Sequence, residues 1–146
     1  MVLAILLFTM SSCIAQDKQT IYLIFNQNEA VNCIKSNSNY RHDKSLTNYK
    51  GAMVKSEYPN NKTSFIICKE HFSLIKNTKP QKISKGDVSK LKLVEFEYLI
   101  KEYIKSDMFN KRDVFENIFF IEKINEEEYL KYEVHWEHYI DKGFQN

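Results

Sequence analysis

Hydrophobic and polar residues alternate most regularly near the end of the chain, from Tyr129 to Ile140. A period of two is that of a β-strand with one face on a core and the other toward solvent. The pattern therefore predicts a strand that places the only tryptophan, Trp136, in the core. The predicted inner residues are Leu130, Tyr132, Val134, Trp136, His138 and Ile140, and the outer ones are Lys131, Glu133, His135, Glu137 and Tyr139.

Shorter apolar runs predict further strands. Thr20 to Asn26 carries large apolar residues on both faces, as in a strand near the middle of a sheet. Pro59, Asn60 and Asn61 form a turn signal, so the flanking runs predict a hairpin that continues through His71, Phe72, Ser73 and Leu74. Two further runs complete the set, so that the predicted strands are Thr20–Asn26, Met53–Tyr58, Thr63–Lys69, Asn117–Ile124 and Tyr129–Ile140.

One helix is predicted from about Val88 to Lys105, with Ser84 or Asp87 as its cap. Its apolar residues recur at helical spacing, although alternation in the same stretch leaves a strand as the alternative. The helical stripe consists of Phe96, Leu99, Ile100, Tyr103 and Ile104. These elements predict an α+β fold: a mostly antiparallel sheet of about five strands with one principal helix packed on one face. Residues 16–146 have the length of one domain.

Residues Met1 to Ala15 carry no charged side chain, and the apolar run from Val2 to Met10 is too short to cross a bilayer. This pattern is typical of a signal peptide. Ser11, Ser12 and Cys13, after Leu6, Leu7 and Phe8, resemble the lipobox of bacterial lipoproteins. The resemblance implies that Cys13 is lipidated, becomes the mature N-terminus and anchors the protein to a membrane. Cleavage after Ala15, or a retained apolar N-terminus, are the alternatives.

Two cysteines, Cys33 and Cys68, remain after removal of this segment. In an oxidising compartment an even pair predicts one disulfide, provided that the Cα atoms lie within about 7 Å. The alternative is that Cys68 is a small buried hydrophobic residue in its apolar run.

The charged residues are distributed unevenly along the chain, although the net charge is only +2. Residues 29–92 hold 13 basic and 5 acidic side chains, whereas residues 93–146 hold 7 basic and 13 acidic ones. We expect the two halves to pack side by side and partly neutralise each other. The alternative is a basic surface for a polyanion such as an acidic envelope polysaccharide, with Tyr40, Tyr49 and Tyr58 available for stacking. No nucleic-acid-binding module is recognisable, so nucleic acid is not an expected partner.

Glu133, His135 and Glu137 form the only cluster with chemical potential, because carboxylates and imidazole on one strand face could share a metal ion. We expect a solvent-facing strip at these positions, and the metal site is the alternative. No nucleophile elbow, phosphate loop or HExxH motif is present, so neither an enzyme nor a cofactor is expected, and a hydrolase is the least favoured class.

We therefore expect an exported protein of the cell envelope or periplasm with a non-enzymatic binding or accessory role. Its partner would be a protein or another envelope component. The alternatives are a metal or small-ligand binder that uses Glu133, His135 and Glu137, and a periplasmic inhibitor or immunity-type protein.

Overall fold

The computed structural model describes residues 19–36, 46–58, 62–106 and 114–137. Within these residues the chain forms nine β-strands and two α-helices, mostly β in character. In chain order the elements are β1 (Gln19–Phe25), β2 (Ala30–Ser36), β3 (Leu46–Tyr58), β4 (Lys62–Ile67), β5 (Glu70–Leu74), β6 (Gln81–Ser84), α1 (Lys85–Val88), β7 (Leu93–Val94), α2 (Phe96–Lys105), β8 (Phe115–Lys123) and β9 (Glu128–Trp136).

The strands form one mixed sheet in the order β2-β3-β4-β5-β9-β8-β1-β7, and β6 also pairs with β9. Strand β1 runs parallel to both β8 and β7, whereas the other pairs are antiparallel. The hairpin predicted on either side of Pro59–Asn61 is present as β3–β4, and the last two predicted strands pair with each other as β8–β9.

The sheet curls, so that strands far apart in its order meet. The turn after β1 exchanges backbone hydrogen bonds with β3, because the Asn28 amide donates to the Met53 carbonyl at 2.8 Å and the Met53 amide donates to the Glu29 carbonyl at 3.1 Å. Asn28 has a φ of 64°, which asparagine tolerates better than most residues. The curl gives the sheet an inner, concave face.

Aromatic rings fill this inner face. Phe65 lies edge-on to both Phe25 and Phe120 at 5.1 Å, and Phe72 joins this group to Trp136, whose ring it stacks on at 5.6 Å. All five side chains are buried. Large rings in contact supply much of the apolar area that stabilises a small domain.

Helix α2 covers part of the inner face with the predicted apolar stripe. Phe96, Leu99 and Ile100 are buried in the core, and the Tyr103 ring lies 5.4 Å from that of Trp136. The predicted helix is wrong over its first part, however, because Leu93 and Val94 leave the helical path to pair with β1, and Ser84 caps the separate α1. Neither helix in the described residues has the length and apolar character needed to cross a membrane.

The predicted fold class is wrong. We expected an α+β fold with about five mostly antiparallel strands and one principal helix, but the described residues hold a mixed, curled sheet of nine strands and two helices. Strands β6 and β7 have only four and two residues, which is too short for a period of two to be visible. The parallel pairing of β1 depends on contacts about 100 residues apart, which no local pattern reports.

Candidate functional site

The loop at residues 75–80 connects two strands that lie along the same edge of β9. Strand β5 ends where Leu74 pairs with Val134, and β6 begins where Gln81 pairs with Lys131. Six connecting residues thus span only two positions of β9, so the loop must bulge away from the sheet. We call residues 75–80 the edge loop.

Hydrogen bonds fix the shape of the edge loop. The Ile75 amide donates to the Glu133 carbonyl at 3.0 Å, which ties the loop to β9. The Thr78 amide and hydroxyl both donate to the Ile75 carbonyl, at 3.0 and 2.7 Å, and close a tight turn. Asn77 within that turn has a φ of 69°, a conformation that asparagine adopts at low cost.

A cavity of about 510 Å³ lies between the edge loop and the end of the β3–β4 hairpin. The hairpin contributes Glu57, Tyr58, Lys62 and Thr63, and the edge loop contributes residues 77–80. Tyr58 is 56% exposed, so much of its ring is available for contact. The volume falls within the range of small-molecule sites. We call this space the hairpin cavity.

The hairpin cavity has an excess of positive charge. Among its described lining residues, Lys62 and Lys79 are exposed and form no ion pair with any carboxylate of the described chain. The one lining carboxylate, Glu57, has an oxygen 3.7 Å from Nζ of Lys55, a lysine that does not line the cavity. Lys55 is itself bound to Glu122 at 2.7 Å, so it does not cancel the charge of Glu57. The described lining therefore carries two ammonium groups and one carboxylate, a net charge of +1.

A smaller cavity of about 280 Å³ lies on the other side of the edge loop and shares Thr78 and Lys79 with the first. Its floor is the outer face of β8 and β9, where Lys131 Nζ lies 5.1 Å from the centre of the Phe119 ring. A cation at this distance over a ring face is attracted by the ring's quadrupole. Glu133 also lines this cavity.

A polar cluster is buried on the inner face of the sheet near the hairpin cavity. Lys55 Nζ donates to both Glu122 carboxylate oxygens, at 2.9 and 2.7 Å, and the Tyr132 hydroxyl donates to the same carboxylate at 2.6 Å. Burial is the main cause that raises the pKa of Tyr132, and the hydrogen bond to Glu122 raises the pKa further. The tyrosine therefore remains protonated, and the cluster is a satisfied ion pair with a neutral donor.

Glu133, His135 and Glu137, the alternative metal ligands, lie on the outer face of β9 and beside its end. Glu133 lines the 280 Å³ cavity, His135 lines another of about 180 Å³, and the Ser73 hydroxyl donates to the Glu137 carboxylate. No group of three metal-ligating side chains occurs in the described ranges 19–36, 46–58, 62–106 and 114–137. The structure thus places the three residues on one side without gathering them into a ligand set.

The two predicted disulfide partners are adjacent. Cys33 in β2 and Cys68 in the β4–β5 turn have Cα atoms 5.5 Å apart, within bridging reach, and the structure joins their sulfur atoms. Both residues are buried. Gly51 of β3 packs against them, since a Cβ at this position would overlap the Cys33 sulfur. The lipidation candidate, Cys13, lies outside the described residues.

Sequence reasoning missed both the hairpin cavity and the buried cluster. Lys62 and Lys79 are spaced like ordinary surface lysines, and of the three tyrosines considered for stacking only Tyr58 lines this cavity. Lys55 and Glu122 are 67 residues apart, so no local pattern could pair them. The only available signal was the basic excess of the first half of the chain.

Comparison with known proteins identifies no relative. No protein-family model, no curated protein and no solved structure matches the chain. The geometry and the sequence are therefore the basis for assigning a role.

Proposed function

We propose that the chain is an exported, non-enzymatic binding protein of the bacterial cell envelope. The observation that carries the export half of this proposal is the buried pair Cys33–Cys68, with Gly51 as the residue that leaves room for it. Disulfides persist in oxidising compartments and are rare in the cytosol. The signal-like segment at residues 1–15, with its lipobox-like Cys13, supports the same compartment.

The binding half of the proposal is supported by the edge loop and the hairpin cavity beside it. A curled sheet with a filled aromatic core is a rigid support, and the hydrogen bond from the Ile75 amide to the Glu133 carbonyl ties the edge loop to it. Binding residues are often placed on loops that a rigid scaffold positions. Exposed Tyr58 and the unpaired lysines give that position polar and aromatic groups for a partner.

Cell fractionation tests the location. The full chain is expressed with its own N-terminal segment in a bacterium, and membranes, periplasm and cytoplasm are separated. Lipidation predicts that Cys13→Ala moves the protein from the membrane fraction to a soluble one, whereas the matched control Ser11→Ala leaves it in the membrane.

Two other results are decisive. Periplasmic protein with an N-terminus at Gln16 in both variants would keep export and reject the lipid anchor. Cytoplasmic protein that retains Met1 in both variants would reject the proposal.

A further inference from the structure

The hairpin cavity has the features of an anion site with a flat, partly apolar wall. Lys62 and Lys79 approach it from opposite sides, one from β4 and one from the edge loop, and neither is neutralised within the described residues. Glu57 is the one described carboxylate in the lining; it is exposed, and its oxygen lies 3.7 Å from Nζ of Lys55. An incoming anion would therefore meet two cations and one carboxylate, a net charge of +1.

Tyr58 determines what else the ligand must offer. Tyr58 is an exposed residue that lines the cavity together with Thr63 and the turn residues Asn77 and Thr78. A tyrosine face packs against flat apolar surface, while its hydroxyl and the neighbouring polar side chains form hydrogen bonds. A sugar ring presents one apolar C–H face and a rim of hydroxyl groups. The combination thus suits a saccharide better than a simple inorganic anion.

We propose that the hairpin cavity binds a saccharide that carries carboxylate groups, such as a uronic acid unit of an acidic envelope glycan. Lys62 and Lys79 bind the carboxylates, Tyr58 stacks on the sugar ring, and the side chains of Thr63 and Asn77 contact its hydroxyl groups. This inference deepens the proposed function and rests on it, because acidic glycans of this kind are found outside the cytoplasm.

Binding of three defined probes to the oxidised mature chain tests the proposal. Tetragalacturonate carries both sugar rings and carboxylates, maltotetraose has the same number of rings without charge, and citrate has carboxylates without a ring. Affinity is measured by titration calorimetry at low and high salt. We expect binding of tetragalacturonate alone, with an affinity that weakens as salt screens the lysines.

Variants locate the site. Lys62→Gln and Lys79→Gln should each weaken tetragalacturonate binding by about tenfold or more, since each removes a charge-assisted hydrogen bond. Tyr58→Leu should also weaken it, whereas the matched control Lys92→Gln, an exposed lysine before β7, should leave it unchanged. All four positions are on the surface or at the cavity, and the variants should fold.

The contrary results are distinct. Equal binding of maltotetraose, equal binding of citrate, no binding of any probe, or unchanged affinity in both lysine variants would each overturn the proposal. Export is tested separately by fractionation, so a negative titration with an exported chain rejects only the ligand class.

Discussion

Replacement of Gly51 by alanine would test the packing around the two cysteines. Gly51 lies in β3 opposite Val31, and its φ is not positive, so alanine fits the backbone there without strain. The added Cβ would overlap the Cys33 sulfur and lie 3.3 Å from both the Cα and the sulfur of Cys68. A sulfur held in a disulfide cannot rotate away.

Whether Gly51→Ala lowers or raises the free energy of unfolding should depend on the sulfur atoms of Cys33 and Cys68. In the oxidised protein, overpacking of this kind should lower the free energy of unfolding by about 1–3 kcal/mol. In a Cys33→Ala/Cys68→Ala background both sulfur contacts are absent and only the 3.3 Å contact with the Cα of residue 68 remains, which a shift of a few tenths of an ångström relieves. Alanine within a strand is favoured over glycine by roughly 0.5–1 kcal/mol. We therefore expect Gly51→Ala to destabilise the oxidised protein and to stabilise the cysteine-free one.

Urea denaturation followed by the fluorescence of Trp136 gives the four free energies of this cycle. Gly86→Ala is the matched control, because a Cβ at Gly86 meets only the Ser84 hydroxyl oxygen at 3.6 Å and should act alike in both backgrounds. The cysteine-free protein should itself be less stable by up to about 4 kcal/mol in the chain-entropy account of disulfides. An equal loss from Gly51→Ala in both backgrounds would refute the cysteine geometry.

Three further predictions concern stability. Trp136→Ala should lower the free energy of unfolding by about 3–5 kcal/mol in chemical denaturation, because the residue is only 1% exposed. His135→Ala, on the outer face, should lower it far less. Similar losses would mean that the faces of β9 are reversed. Lys69→Gly should raise the free energy of unfolding by roughly 0.5–1 kcal/mol, since Lys69 has a φ of 67°, which glycine adopts without the backbone strain of a larger residue. Lys69→Ala should bring no such gain, and equal effects of the two substitutions would show that the backbone at this position is not strained. The pKa of Tyr132 is raised in the folded protein, so the folded state holds the phenol proton more tightly than the unfolded chain does. The contribution of this proton to the free energy of unfolding is therefore complete below pH 10 and is lost as the pH rises above 10. Urea denaturation from pH 8 to 11 should show a shallower alkaline decline for Tyr132→Phe, and identical declines would refute this assignment.

Local periodicity predicted the strands whose two faces differ. β9 alternates as expected from Tyr132 to Trp136, because Tyr132, Val134 and Trp136 are buried and the residues between them reach solvent. Leu130 is only partly buried, and the other predicted inner residues, His138 and Ile140, lie outside the described residues. The β3–β4 turn was marked by Pro59 and two asparagines, whose turn chemistry is also local. The helical stripe of α2 was visible for the same reason, since its inner face repeats every three to four residues.

The errors arose where distant contacts override local pattern. Leu93 lies in the sheet because it pairs in parallel with Tyr22, about 70 residues earlier in the chain. Nothing in the local sequence distinguishes this strand position from a helical one. The edge loop exists because β5 and β6 share an edge of β9, and this arrangement follows from the topology rather than from residues 75–80. Lys62 and Lys79 meet at one cavity only as a result of that topology.

Intact-mass analysis of the mature protein tests the central claim, an exported binding protein, most directly. The chain is purified without reductant from the envelope and periplasm of expressing cells. The account predicts a chain that begins at lipidated Cys13 or at Gln16 and lacks the two thiol hydrogens of Cys33 and Cys68. A full-length chain that retains Met1, carries both free thiols and is recovered only from the cytoplasm would contradict it.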